Sequence, residues 1–87
     1  SVQSGWVTVQ RVFPHTPAEG AGIQEGDRIA QIDTTSTRGF NTSQVQNLLL
    51  GTPGTKVRVS FQRPGVGQPI TSTFTRAEIH IPAVQYA

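Results

Sequence analysis

The 87-residue sequence contains no cysteine, which excludes disulfides and thiolate metal sites. Charge is sparse: only 14% of residues carry it. The seven basic residues are scattered at 11, 28, 38, 56, 58, 63 and 76, and only Lys56 and Arg58 sit at strand spacing. There is no basic run and no interleaving of aromatic and basic residues, so no nucleic-acid surface is expected. No apolar run approaches the ~20 residues needed to span a bilayer, and no membrane contact is expected of this domain. No signal segment is read before the first strand; an exported parent protein would carry it upstream. The two histidines, His15 and His80, have no partner at a metal-binding interval, so no metal and no other cofactor is expected. The G-x-S-x-G nucleophile elbow is absent. Lys56 and Ser60 share one strand face, but their Cα atoms are roughly 13 Å apart, too far for a Ser–Lys dyad. No residue is assigned a catalytic role.

What the chain does have is glycine, threonine, serine and glutamine, a mix that favours β structure with many turns. Its length fits one small domain with one modest core. "KVRVSFQR" at 56–63 alternates cleanly, with Val57, Val59 and Phe61 facing inward. "WVTVQRVF" at 6–13 and "ITSTFTR" at 70–76 read as further strands, joined to their neighbours by Gly- and Pro-rich turns such as "PGVGQP". "RIAQID" at 28–33 places Ile29 and Ile32 on opposite faces, as in a strand buried on both sides. Thr34 to Gly39 reads as a polar loop.

Two capping patterns predict helices. In "TPAE", Thr16 is the N-cap, Pro17 the first helical residue, and Glu19 reaches back to the Thr16 amide. Gly20 and Gly22 keep that helix very short, with Gly22 as its left-handed C′ residue. In "NTSQ", Asn41 caps a helix of about nine residues over 42–50, with Gln44 completing the box. Gly51 ends it, and Pro53 prevents its return. Such a helix is too short to be stable alone and must dock on the sheet. Val45 and Leu48 read mainly as core. Thr42, Gln46 and Leu49 recur on the adjacent face and are the better candidates for a groove wall, where an extended peptide could add to an exposed sheet edge. A Leu49→Glu substitution is the natural probe of that wall.

"VFPHTPAEGAGIQEGDRIAQID", a polar loop with "RGF", and "SQVQNLLLGTPGTKVRVSFQRPG" together resemble a bacterial PDZ domain over nearly residues 5–76. The tail "FTRAEIHIPAV" resembles the boundary that leads into the catalytic core of carboxyl-terminal processing peptidases, the tail-specific serine proteases of the S41 type. The resemblance implies an α+β fold: a partly open β-barrel or sandwich of about five strands, with one short and one longer helix in bacterial, permuted strand order. It implies a PDZ-like domain over 1–81 and a linker from 82 to 87. It also implies a peptide groove with Thr42, Val45, Gln46 and Leu49 on its helix wall, a substrate C-terminus as ligand, and an adjacent serine protease domain as partner. The Ser/Lys catalytic pair would lie outside this chain, in a protein of the bacterial periplasm or cell envelope.

Two departures carry expectations of their own. The family places a carboxylate-binding loop and its strand just before "SGWVTV", and "SVQSG" is too short to supply both. An open sheet edge left there would invite self-association. Thr34 stands where glycine or asparagine is common, and since threonine resists positive φ, the turn after "ID" is expected to be of another type. The same motifs also occur in PDZ domains of other envelope proteases (HtrA or site-2 type) and of secretion components. A purely structural interdomain element without a free peptide ligand is a further alternative.

Overall fold

Alternating apolar residues set the sheet, and the two capping patterns set the helices. The computed structural model describes residues 2, 3 and 5–76. Along the chain it runs β1 (Val2–Gln3), β2 (Trp6–Thr8), α1 (Pro17–Gly20), β3 (Arg28–Ile32), β4 (Thr35–Ser36), α2 (Thr42–Leu49), β5 (Lys56–Gln62) and β6 (Ile70–Thr75). The strands form one open antiparallel sheet in the order β1-β2-β3-β5-β6, with β4 added as a hairpin on β3. This is the small α+β architecture that the resemblance implies.

The central register matches the alternation of β5: Val57, Val59 and Phe61 are all buried, at 1% exposure or less. They pack with Val7, Ile29, Ile32 and Phe74 from the sheet, and with Val45 and Leu49 from α2. Ala18 and Ile23 of the α1 turn close the same core.

Three strand expectations are corrected. β2 ends at Thr8 rather than Phe13. Val9 still exchanges backbone hydrogen bonds with Asp27 and Gly26 (2.9 and 2.8 Å), and the chain then leaves the sheet. Ile29 and Ile32 do not face opposite ways. The pairing with β5 shifts register between Ile29 and Gln31, and this bulge turns both isoleucines into the one core. The polar loop at 34–39 contains β4, whose Thr35 and Ser36 pair with Ile32 and Gln31. In the turn between β3 and β4 it is Asp33, not Thr34, that takes positive φ (52°). The Asp33 carboxylate accepts from the Arg58 amide (3.0 Å), which fixes that turn to β5.

Both helix caps form. Asn41 Oδ1 accepts from the Gln44 amide (2.8 Å), and Gln44 Oε1 accepts from the Asn41 amide (2.9 Å). Asn41→Ala is therefore expected to cost ~1 kcal/mol, a drop of about 4–8 °C in a thermal melt. At α1, Thr16 caps Glu19 as expected (3.3 Å). The Glu19 carboxylate, however, accepts from His15 N (2.9 Å) rather than from Thr16. The cause is backbone geometry: His15 has φ 61°, and its amide is the one within reach of Glu19. Gly22 takes the left-handed conformation at C′, with φ 79°.

Candidate functional site

Within "VFPHTPAEGAGIQEGDRIAQID", the segment around the α1 turn and Asp27 is architecture rather than chemistry. Asp27 is fully buried. Its two carboxylate oxygens accept from Arg63 Nε and Nη2, both at 2.9 Å. Oδ2 also accepts from the Gln24 amide (2.9 Å), and Arg63 Nη2 reaches the Gly22 carbonyl (2.9 Å). The hydrogen bond from Arg63 to Asp27 holds Arg63 further above its already strongly basic range, against the opposing effect of desolvation. The pair pins the α1 turn to the end of β5. Nothing in the local sequence marks this bond across the fold, because the partner lies 36 positions away.

Among the described residues no group of three or more His, Asp or Glu could hold a metal. Lys56 Nζ and Ser60 Oγ bond to different threonines of β6, Thr75 and Thr71. Both side chains are thus engaged across the strand pair and not with each other.

The geometry that invites a ligand is the edge of the sheet at β1. One side of Val2–Gln3 pairs with β2. The other side has no strand partner among the described residues. Gly39 N donates to Gly5 O at 2.8 Å, which ties the β1–β2 turn to the loop entering α2. The β1–β2 turn and the loop that leads into α2 are therefore held together. The segment before Trp6 is not bare of strand structure: two of its residues form β1.

The four expected wall residues separate by exposure. Thr42 and Gln46 are half-buried and stand one helical turn apart on the same flank of α2. Val45 (0%) and Leu49 (1%) are core. Leu48, half-buried, lies on the opposite flank. The ranking of Leu49 above Leu48 as an accessible side chain is thus reversed. The helical period is right and its phase is off by one position, because a stripe of Val45, Leu48 and Leu49 does not say which two point straight down. Leu49→Glu would bury a charge in the core and would not probe a surface. Gln46 is the residue suited to that purpose.

A model of the PDZ domain family matches residues 8–63. The chain is 34% identical over 65 residues to carboxy-terminal processing protease CtpA of Bacillus subtilis, covering 75% of this chain and 14% of that protein. It is 29% identical to CtpB of the same organism, covering 95% of this chain and 17% of that protein. Among solved structures, a photosystem II D1 C-terminal processing protease superposes with a TM-score of 0.69 at 28% identity, covering 88% of this chain and 23% of that one. The chain therefore spans less than a fifth of the length of either Bacillus relative.

Proposed function

The chain belongs to the PDZ domain family, and on that premise we propose that it is the peptide-recognition module of a carboxyl-terminal processing serine protease. The observation that carries this reading is the side of β1 left without a strand partner among the described residues, on a hairpin whose turn is tied to the loop that leads into α2. Backbone donors and acceptors along such an edge can pair with any extended chain, which gives affinity without demanding a sequence. Thr42 and Gln46, half-buried on one flank of α2, then offer a hydroxyl and an amide to the incoming side chains, while Val45 and Leu49 anchor the helix in the core.

The ligand proposed is the free C-terminal segment of a substrate protein. The carboxylate loop that the resemblance places before "SGWVTV" would hold its terminal charge. The partner proposed is a protease domain in the same parent chain, which supplies the Ser and Lys of the reaction and is regulated by occupancy of this groove. The relatives named above are proteases, and this supports the assignment. The bacterial cell envelope or periplasm is the proposed location.

The test is a titration of the domain, joined to the parent segment that precedes Ser1, against decapeptides randomised at their last three positions. The pool is used both as free acids and as C-terminal amides. Hydrogen bonds to an ionised group are the stronger kind, so the free acids are expected to bind more than about tenfold tighter. Equal affinity, or a preference for the amides, would overturn carboxylate recognition. Gln46→Glu, which adds an anion to the proposed wall at nearly constant volume, should weaken the free-acid pool without altering the melt.

A further inference from the structure

The last turn of α2 is held from outside the helix. Leu50 N donates to Gln46 O (3.0 Å), but the final carbonyls of a helix have no partner within it. Here they are met by Arg76, which follows β6. Its Nε donates to Leu49 O (3.0 Å) and its Nη2 to Leu48 O (3.4 Å). The same guanidinium bonds Thr55 Oγ1 and Lys56 O through Nη1, both at 3.1 Å. Its backbone is fixed as well: Arg76 N donates to Thr55 O (2.8 Å) and Gly54 N to Arg76 O (3.2 Å). No basic residue lies in the last turn of α2 itself, so a cation from another element supplies the charge that a helix C-terminus favours.

Gly51 belongs to the same device. It is not among the glycines with positive φ, and the helix leaves through an extended Leu50 (φ −75°, ψ 149°). A left-handed stop is therefore not the reason for a glycine there. A Cβ at position 51 would stand 2.6 Å from Arg76 Nε and 2.8 Å from its Cδ. The glycine is the clearance through which the arginine crosses to the helix end.

We propose that Arg76 is a positioning residue for the groove: it clamps the C-terminal turn of α2 to the start of β5, with Gly51 as its passage. A helix of eight residues is marginal by itself, so the placement of its last turn depends on this tie. The peptide part of the proposal rests on reading α2 as a groove wall; the clamp does not.

The experiment compares amide hydrogen exchange in the wild-type chain, Arg76→Gln, Arg76→Lys, Gly51→Ala and the double variant Gly51→Ala/Arg76→Gln. Arg76→Gln is expected to speed exchange at Leu50 about tenfold or more, and to leave Ile29 and Val59 in the central strands unchanged. Arg76→Lys keeps the charge but not the fork, and should recover only part of the protection. It also serves as the folded variant should the glutamine fail to fold. Gly51→Ala should reproduce the Arg76→Gln effect in the wild-type background and add little in a chain that already carries Arg76→Gln. Additive effects, or unchanged protection at Leu50 in Arg76→Gln, would overturn the clamp. The free-acid peptide pool should bind the Arg76→Gln variant at least about fivefold more weakly. Lost protection with unchanged affinity would overturn the link to the groove and leave the clamp standing. If the wild-type domain does not bind the pool, it is the peptide reading that fails.

Discussion

Phe61→Ala is expected to cost the chain ~4 kcal/mol and lower its melting midpoint by about 20 °C. Phe61 is the largest fully buried side chain. It sits on β5, paired to Ile29 of β3 and Ile70 of β6. Its ring meets Phe74 edge-on, with centroids 6.4 Å apart and planes at 83°. Truncation removes the transfer free energy of the ring, leaves a cavity, and forfeits the ring pair, together ~4 kcal/mol. A domain of this size has roughly 4–13 kcal/mol of stability in total. The loss therefore consumes most of the smaller value and about a third of the larger. A denaturant or thermal melt should show a midpoint lower by about 20 °C, or no folded baseline at all. Val66→Ala is the control. Val66 is 42% exposed in the β5–β6 turn, and its truncation should change stability by less than about 0.5 kcal/mol. A Phe61 variant that melts within a few degrees of wild type would mean that the core is not centred on β5.

Asp27→Ala is expected to cost ~3 kcal/mol, a drop of about 12 °C or more in the melt. The carboxylate is buried and accepts from Arg63 twice and from the Gln24 amide once. Its removal leaves those donors unmet where the α1 turn joins β5. Asp27→Asn keeps the volume and one acceptor and should fall between. Glu25, two residues away and exposed, should tolerate alanine within about 0.5 kcal/mol. Equal effects at 25 and 27 would contradict the assignment of the motif to a pinned turn.

Local rules make the elements legible. The caps at Thr16 and Asn41, the left-handed Gly22 and the alternation of Val57, Val59 and Phe61 each follow from residues a few positions apart. Family resemblance supplies the fold that joins them. What stays hidden depends on partners distant in sequence. The bulge that turns Ile29 and Ile32 to one side arises only when β3 pairs with β5. Asp27 finds Arg63 across 36 positions. Gly51 looks like a helix stop until Arg76 is placed across it. The buried face of α2 is legible to within one helical position, since periodicity defines a stripe but not its centre. Thr37, read as part of a polar loop, is fully buried, and its hydroxyl donates to Ile29 O at 2.6 Å. No sequence pattern distinguishes such a buried threonine from its exposed neighbours. The expected domain end at 81 and the linker at 82–87 fall outside the described residues.

The central claim is that an extended peptide adds to β1 beside α2. The most direct test is an amide chemical-shift map of the 15N-labelled domain, titrated with the tightest free-acid peptide of the pool. The largest changes are expected at Val2, Gln3, Thr42 and Gln46, with Thr71 and Thr73 on the opposite outer strand unmoved. Changes centred on β6, or none along α2, would contradict it.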